Sequence, residues 1–110
     1  MKKINIIKKE KEINNVIKTG KKYKNKYFII YVKENELDKH RFCICVSKKL
    51  GNAVTRNKNK RQVKDIIDKS KIVFSKNKDY VIIINREINL INFDEKKENL
   101  INLLKTIEGE

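Results

Sequence analysis

The chain has no proline and no tryptophan, one histidine, two cysteines and three glycines in 110 residues. Each scarcity removes a class of protein. Without proline or a low-complexity linker nothing divides the chain, so one domain over residues 1–110 is expected at this length. Cys43, Cys45 and the lone His40 do not complete a zinc ligand set. The C-x-C spacing puts both cysteines on one strand face, aimed in parallel rather than at each other. They read as reduced thiols in or near a core. Uninterrupted apolar runs such as Val81 to Ile84 are only a few residues long, far too short to cross a bilayer. The opening "MKKINIIKKEKE" has lysines but no apolar stretch of the length a secretory signal needs. These two absences point to the cytoplasm.

Catalytic constellations are missing too. With one histidine, no paired carboxylates flanking a cleft motif and no activated nucleophile, no catalytic set is expected. The phosphate-binding loop G-x-x-x-x-G-K-S/T is absent. Metal-assisted attack on a phosphodiester needs an inner-sphere metal site, and this chain offers lysines where that site wants carboxylates.

Acidic residues are the last deficit. Fourteen Asp and Glu face 28 Lys and Arg, a formal charge of +14 that exceeds what solubility requires. Such a field points to a polyanion. A membrane surface would ask for a basic amphipathic helix with bulky apolar anchors. The chain has none, so nucleic acid is the expected partner and no membrane is. The 24 Lys, 14 Asn and 18 Ile fit a bias toward A·T-rich codons, so part of the lysine excess carries no function. Arginine, with four copies, is the more informative cation. Arg56 and Arg61 both fall in "GNAVTRNKNKR", residues 51 to 61, where a planar fork could grip phosphate bidentately.

Hydrophobic periodicity supplies the elements. Ile13, Val16 and Ile17 at helical spacing, with Gly20 as C-cap, predict a helix over about residues 10 to 19. "YFIIYVK" (27 to 33) reads as a strand, with Phe28, Ile30 and Val32 on one face. The polar "ENELDKH" is a hairpin-like connection to "RFCICVS" (41 to 47). A helix follows over about 53 to 69, then the strand "YVIIIN" (80 to 85), apolar on both faces and so central. Asn92, three residues before Glu95, opens the last helix as a capping box; Leu100, Leu103, Leu104 and Ile107 form its apolar stripe. The order is α-β-β-α-β-α around a small mixed sheet, an α+β fold, with room for an extra short strand near Lys21 to Tyr23.

On the helix at 53 to 69, Val63, Ile66 and Ile67 share the core face. Arg56, Lys60 and Lys64 stack at i, i+4 and i+8, with Asn57 and Arg61 beside them. Like charges at i, i+4 each destabilise an isolated helix by roughly 0.2–0.5 kcal/mol. Cations in the first turn also oppose the helix dipole. From Lys48 to Lys64 there are seven basic residues and no acid. A solvated surface helix is the bland reading. A phosphate backbone that supplies the missing negative charge is the sharp one.

"VSKKLGNAVTRNKNKRQVKD" closely resembles the signature of the bacterial ribonuclease P protein component, G-N-A-V-x-R-N-R-x-K-R-x-x-R-E. Gly51, Asn52, Ala53, Val54, Arg56, Asn57, Lys60 and Arg61 match it. Lys58 and Lys64 stand where the family usually has Arg, and Asp65 where it has Glu. "KKEKEINNVIKTG", "KDYVIII" and the last helix fall in the family's order, so the resemblance spans nearly the whole chain.

The resemblance implies the small subunit of a ribonucleoprotein endonuclease that removes the 5′ leader from precursor tRNA. In that family the RNA subunit performs the hydrolysis with Mg2+, which no dedicated protein site binds. It also implies a left-handed β-α-β crossover, and an isolated chain without catalytic activity. The implied contacts with the catalytic RNA and precursor tRNA are Lys48, Lys49, Arg56, Asn57, Lys58, Lys60, Arg61 and Lys64. The implied leader cleft contains Ile13, Ile17, Tyr31 and Cys45. The family commonly places aromatic residues at the positions of Ile13 and Ile17, and here simple core packing fits those two equally well. A structural RNA-binding protein of ribosomal type is the alternative. Self-association leaves no mark in the sequence.

Overall fold

Residues 28 to 33 alternate buried and half-buried side chains, the period of two of a strand with one face in the core. The computed structural model describes residues 1–109. Its elements run α1 (Glu10–Thr19), β1 (Lys21–Lys24), β2 (Phe28–Glu34), β3 (Arg41–Val46), α2 (Ala53–Lys69), β4 (Lys78–Ile84) and α3 (Phe93–Glu108). Short 3-10 turns lie before α1 at Lys3–Asn5, between β3 and α2 at Lys48–Leu50 and between β4 and α3 at Arg86–Leu90. The additional short strand expected near Lys21 to Tyr23 is β1.

The four strands form one mixed sheet in the order β1-β2-β4-β3. β4 is central, as its two apolar faces predict, antiparallel to β2 and parallel to β3. β3, α2 and β4 make the β-α-β crossover. The hairpin expected between β2 and β3 does not form, because β4 lies between them. A strand apolar on both faces is stabilised most where both faces are covered, and that preference outweighs the short polar connection at residues 35 to 40. Asp79, at the start of β4, bridges the gap this leaves. Its carboxylate accepts from Asn35 Nδ2 at 2.7 Å, from Arg41 Nε at 2.9 Å and from Arg41 Nη2 at 2.8 Å. Arg41 Nη2 also meets Glu12 of α1 at 2.8 Å.

The sheet's two faces have different fates. Phe28, Ile30, Val32, Phe42, Ile44, Tyr80, Ile82 and Ile84 are buried on the first, beneath Val63, Ile66 and Ile67 of α2 and Leu100, Leu103, Leu104 and Ile107 of α3. Among the described helices α1 crosses the second face, where Val16 is buried with Val81 and with Ile7 of the N-terminal segment. At its end Gly20 lets the chain turn close to the sheet. A Cβ there would sit 2.5 Å from the Val16 carbonyl oxygen and 2.9 Å from that of Val32. The outer edge of β3 is partly covered by the N-terminal segment, whose Ile6 bridges Phe42 and whose Ile7 N–H donates to the Phe42 carbonyl at 2.9 Å.

Candidate nucleic-acid interface

The site begins at the entry to α2. Gly51 has φ +151°, a conformation that L side chains rarely adopt, and a Cβ there would crowd Thr55 at 3.1 Å. Asn52 then caps the helix, its Oδ1 accepting from the Thr55 N–H at 2.9 Å. No acid occupies the first turn. This fixes the angle at which the cations of α2 leave the sheet.

Among the described residues, no carboxylate pairs with Lys48, Lys49, Arg56, Lys58, Lys60, Arg61 or Lys64; the ion pair on α2 is between Lys69 and Asp65, at its far end, with Asp68 next to the terminal ammonium. Arg56 donates from Nη1 to the Gly51 carbonyl at 2.7 Å, which anchors its guanidinium over the helix start. Lys48 and Lys49 sit exposed in the 3-10 turn just before it, and Asn57, Lys58, Arg61 and Lys64 are exposed along α2. Lys60 is half-buried and turns toward the sheet. A groove of about 190 Å³ runs between the N-terminal segment, β3 and α2, lined by Ile6, Ile7, Cys43, Lys60 and Lys64 among others.

The second sheet face continues from that groove. Strand register sets Lys22, Tyr31, Val81 and Cys43 in one row across the sheet, and Lys24, Ile29, Ile83 and Cys45 in the next. Ile13, Ile17, Tyr31 and Cys45 all belong to the cluster on this face, each half-buried. Lys22 Nζ lies 6.0 Å from the Tyr31 ring centre, a cation–π arrangement. Cys45 links the two groups: its thiol is pulled down to about 7 by a hydrogen bond from Cys43, with Lys60 adding to the effect. Cys43 shifts upward for the complementary reason, helped by burial. The result is an apolar, partly open floor with cations on two sides.

Three features went unread in the sequence. Lys22 and Lys24 share this floor. Asn59 is 2 % exposed and Lys96 is 8 % exposed, and the two meet between α2 and α3. The available signal was that each stands four residues before an apolar anchor, Val63 and Leu100, on an otherwise apolar stripe. Lys96 is held by amide oxygens rather than by a carboxylate. Burial, with Lys58 nearby, lowers its pKa.

No cluster of three or more His, Cys, Asp and Glu that could hold a metal occurs among the described residues. None of their helices is long and apolar enough to cross a membrane.

This fold and site define a small α+β protein in which a helix start whose cations have no carboxylate partner among the described residues borders an open, partly apolar sheet face. The chain belongs to the ribonuclease P protein family, whose model matches residues 1–108. It is 37% identical over 105 residues to the ribonuclease P protein component of Streptococcus pneumoniae serotype 4, covering 96% of this chain and 85% of that one. A Staphylococcus aureus RNase P protein mutant with defective mRNA degradation activity superposes with a TM-score of 0.86 at 33% identity, over 96% of this chain and 90% of the other. The RNase P protein from Thermotoga maritima gives a TM-score of 0.81 at 34% identity, over 91% and 94%.

Proposed function

We propose that this chain is the protein subunit of a cytoplasmic ribonuclease P holoenzyme that removes the 5′ leader from precursor tRNA. In this reading α2 faces RNA. Lys48, Lys49, Arg56, Asn57, Lys58, Lys60, Arg61 and Lys64 contact the catalytic RNA and the substrate. Ile13, Ile17, Tyr31 and Cys45 line the cleft that takes the unpaired leader. The observation that carries the reading is the run of cations from Arg56 to Lys64 on α2 with no carboxylate partner among the described residues, beside a face where Tyr31 is half-open.

The physics supports division of labour. A single-stranded leader is held by cations that track its backbone and by ring faces that stack on bases. The cleft supplies both without a hydrolytic group. Its polar groups are ammonium, guanidinium, thiol and the phenol of Tyr31, none of them the carboxylate through which a protein usually holds Mg2+. In this reading the hydrolysis and its Mg2+ belong to the RNA subunit, as the family resemblance implies, and the protein positions the substrate.

The deciding experiment reconstitutes the chain with its cognate ribonuclease P RNA. Precursor cleavage at low magnesium should require the protein, and the complex should bind precursor more tightly than mature tRNA. Equal affinity for the two would falsify the leader cleft. Cleavage by the rigorously purified chain alone would remove the division of labour.

A further inference from the structure

Cys43 and Cys45 stand two residues apart on β3, so their side chains share the sheet's second face. Their sulfurs are 3.5 Å apart, and both residues are half-buried rather than sealed. They are the only cysteines in the chain. We propose that this pair is a chelating dithiol site for a trivalent arsenical, at the floor of the open face.

The separation selects the ligand. A disulfide needs the sulfurs at about 2.05 Å and the Cβ atoms within about 4.5 Å. Residues two apart in a strand rise roughly 6.6 Å with parallel Cβ vectors. Closing an S–S bond would buckle β3 out of its register with Val81 and Ile83 on β4. A bridging atom asks for no such movement. Bonded to both sulfurs at about 2.3 Å, the reach of a thiolate–metal bond, it would subtend roughly 100°. That is close to the pyramidal angle at trivalent arsenic.

The surroundings fit the rest of such a ligand. Ile13, Ile17, Tyr31 and Ile83 pack against the same buried cluster of Ile7, Val16 and Val81 as the two cysteines, which puts an apolar surface for an aryl substituent on that face, and the half-open face leaves a way in. The reaction balances without an oxidant. Two S–H bonds and one As=O bond break, two S–As bonds form, and one water leaves carrying both thiol protons and the arsenoxide oxygen.

The test uses the reduced full chain and phenylarsine oxide, read by intact mass and by free-thiol titration, with no RNA present. The expected result is one arsenical per chain, a mass gain of the probe less one water, and loss of both thiols together. A large excess of a monothiol should leave the adduct in place, while a dithiol removes it. Cys45→Ser, checked by circular dichroism to be folded, should bind at least about 100-fold more weakly, because the second attachment supplies the chelate's effective concentration. Two arsenicals per chain, no adduct, or an adduct stripped by monothiol as readily as from Cys45→Ser would each overturn the proposal.

Discussion

Lys96 on α3 holds Asn59 on α2 across the helix–helix seam: its Nζ donates to Asn59 Oδ1 at 3.1 Å and to Gln62 Oε1 at 3.0 Å. Among the described residues no carboxylate pairs with it. Asn59 in turn donates to the Thr55 carbonyl at 3.0 Å. A buried cation satisfied only by neutral oxygens ties the basic helix to the last helix, and the tie carries a pH signature.

Burial, then Lys58, lower the folded pKa of Lys96 below the ordinary lysine value of 10.5. Between that lowered value and 10.5 the unfolded chain binds more protons, so this group's contribution to stability rises with pH. Lys96→Met removes the dependence. Urea unfolding from pH 7 to 10 should show wild type gaining on the variant as pH rises. The same variant at pH 7 leaves Asn59 Oδ1 unpaired, at a cost of about 1–3 kcal/mol. Adding Asn59→Leu should recover much of that loss, since replacing both partners by apolar groups is tolerated far better than orphaning one.

Arg41→Met should be the severe substitution. Asp79 is 5 % exposed, and losing the guanidinium leaves its carboxylate with Asn35 alone, at about 3–5 kcal/mol for a broken buried pair. Glu12 meets the same guanidinium from the surface of α1, where a salt bridge contributes about 0–1 kcal/mol. Glu12→Gln should thus barely move the urea midpoint that Arg41→Met lowers sharply.

Arg61→Ala should weaken binding to the ribonuclease P RNA more than Lys39→Ala does. If Arg61 meets phosphate, its removal flattens the log–log salt dependence of affinity by about one unit. Titrations at several salt concentrations measure both. Equal losses from the two variants would remove the special role of α2.

Ile17→Phe adds an aromatic ring on α1 to the sheet face that carries Tyr31. Stacking on a leader base is worth about 1–3 kcal/mol, so precursor tRNA should bind more tightly while mature tRNA does not change. A gain shared by both substrates would place Ile17 outside the leader path.

Much of this was legible locally. The bounds of α2 follow from the Asn52 cap and the Val63, Ile66, Ile67 stripe, both of which act within a few turns of backbone. The Asn92–Glu95 capping box does the same for α3, where both reciprocal bonds form. The cationic stripe was legible because helical period alone sets Arg56, Lys60 and Lys64 on one side. Sheet order was harder. Nothing between residues 35 and 40 signals that a later strand will separate β2 from β3; only the two-sided apolarity of β4 hinted at its central place. Pairings between distant elements were invisible. Asn59 and Lys96 each look like a flaw in an apolar stripe until packing makes one the partner of the other. The parallel aim of Cys43 and Cys45 could be read from their spacing, but not the rotamers that bring their sulfurs into contact.

The place of β4 also sets a schedule for the newborn chain. While the ribosome is still short of Lys78, β2 and β3 have no strand to join them, and each presents a bare inner edge of the kind that recruits foreign strands. The sheet knits together only once Ile84 has emerged from the exit tunnel. A message cut short before that codon would therefore release a fragment without α3 and with nothing to hold its two halves side by side.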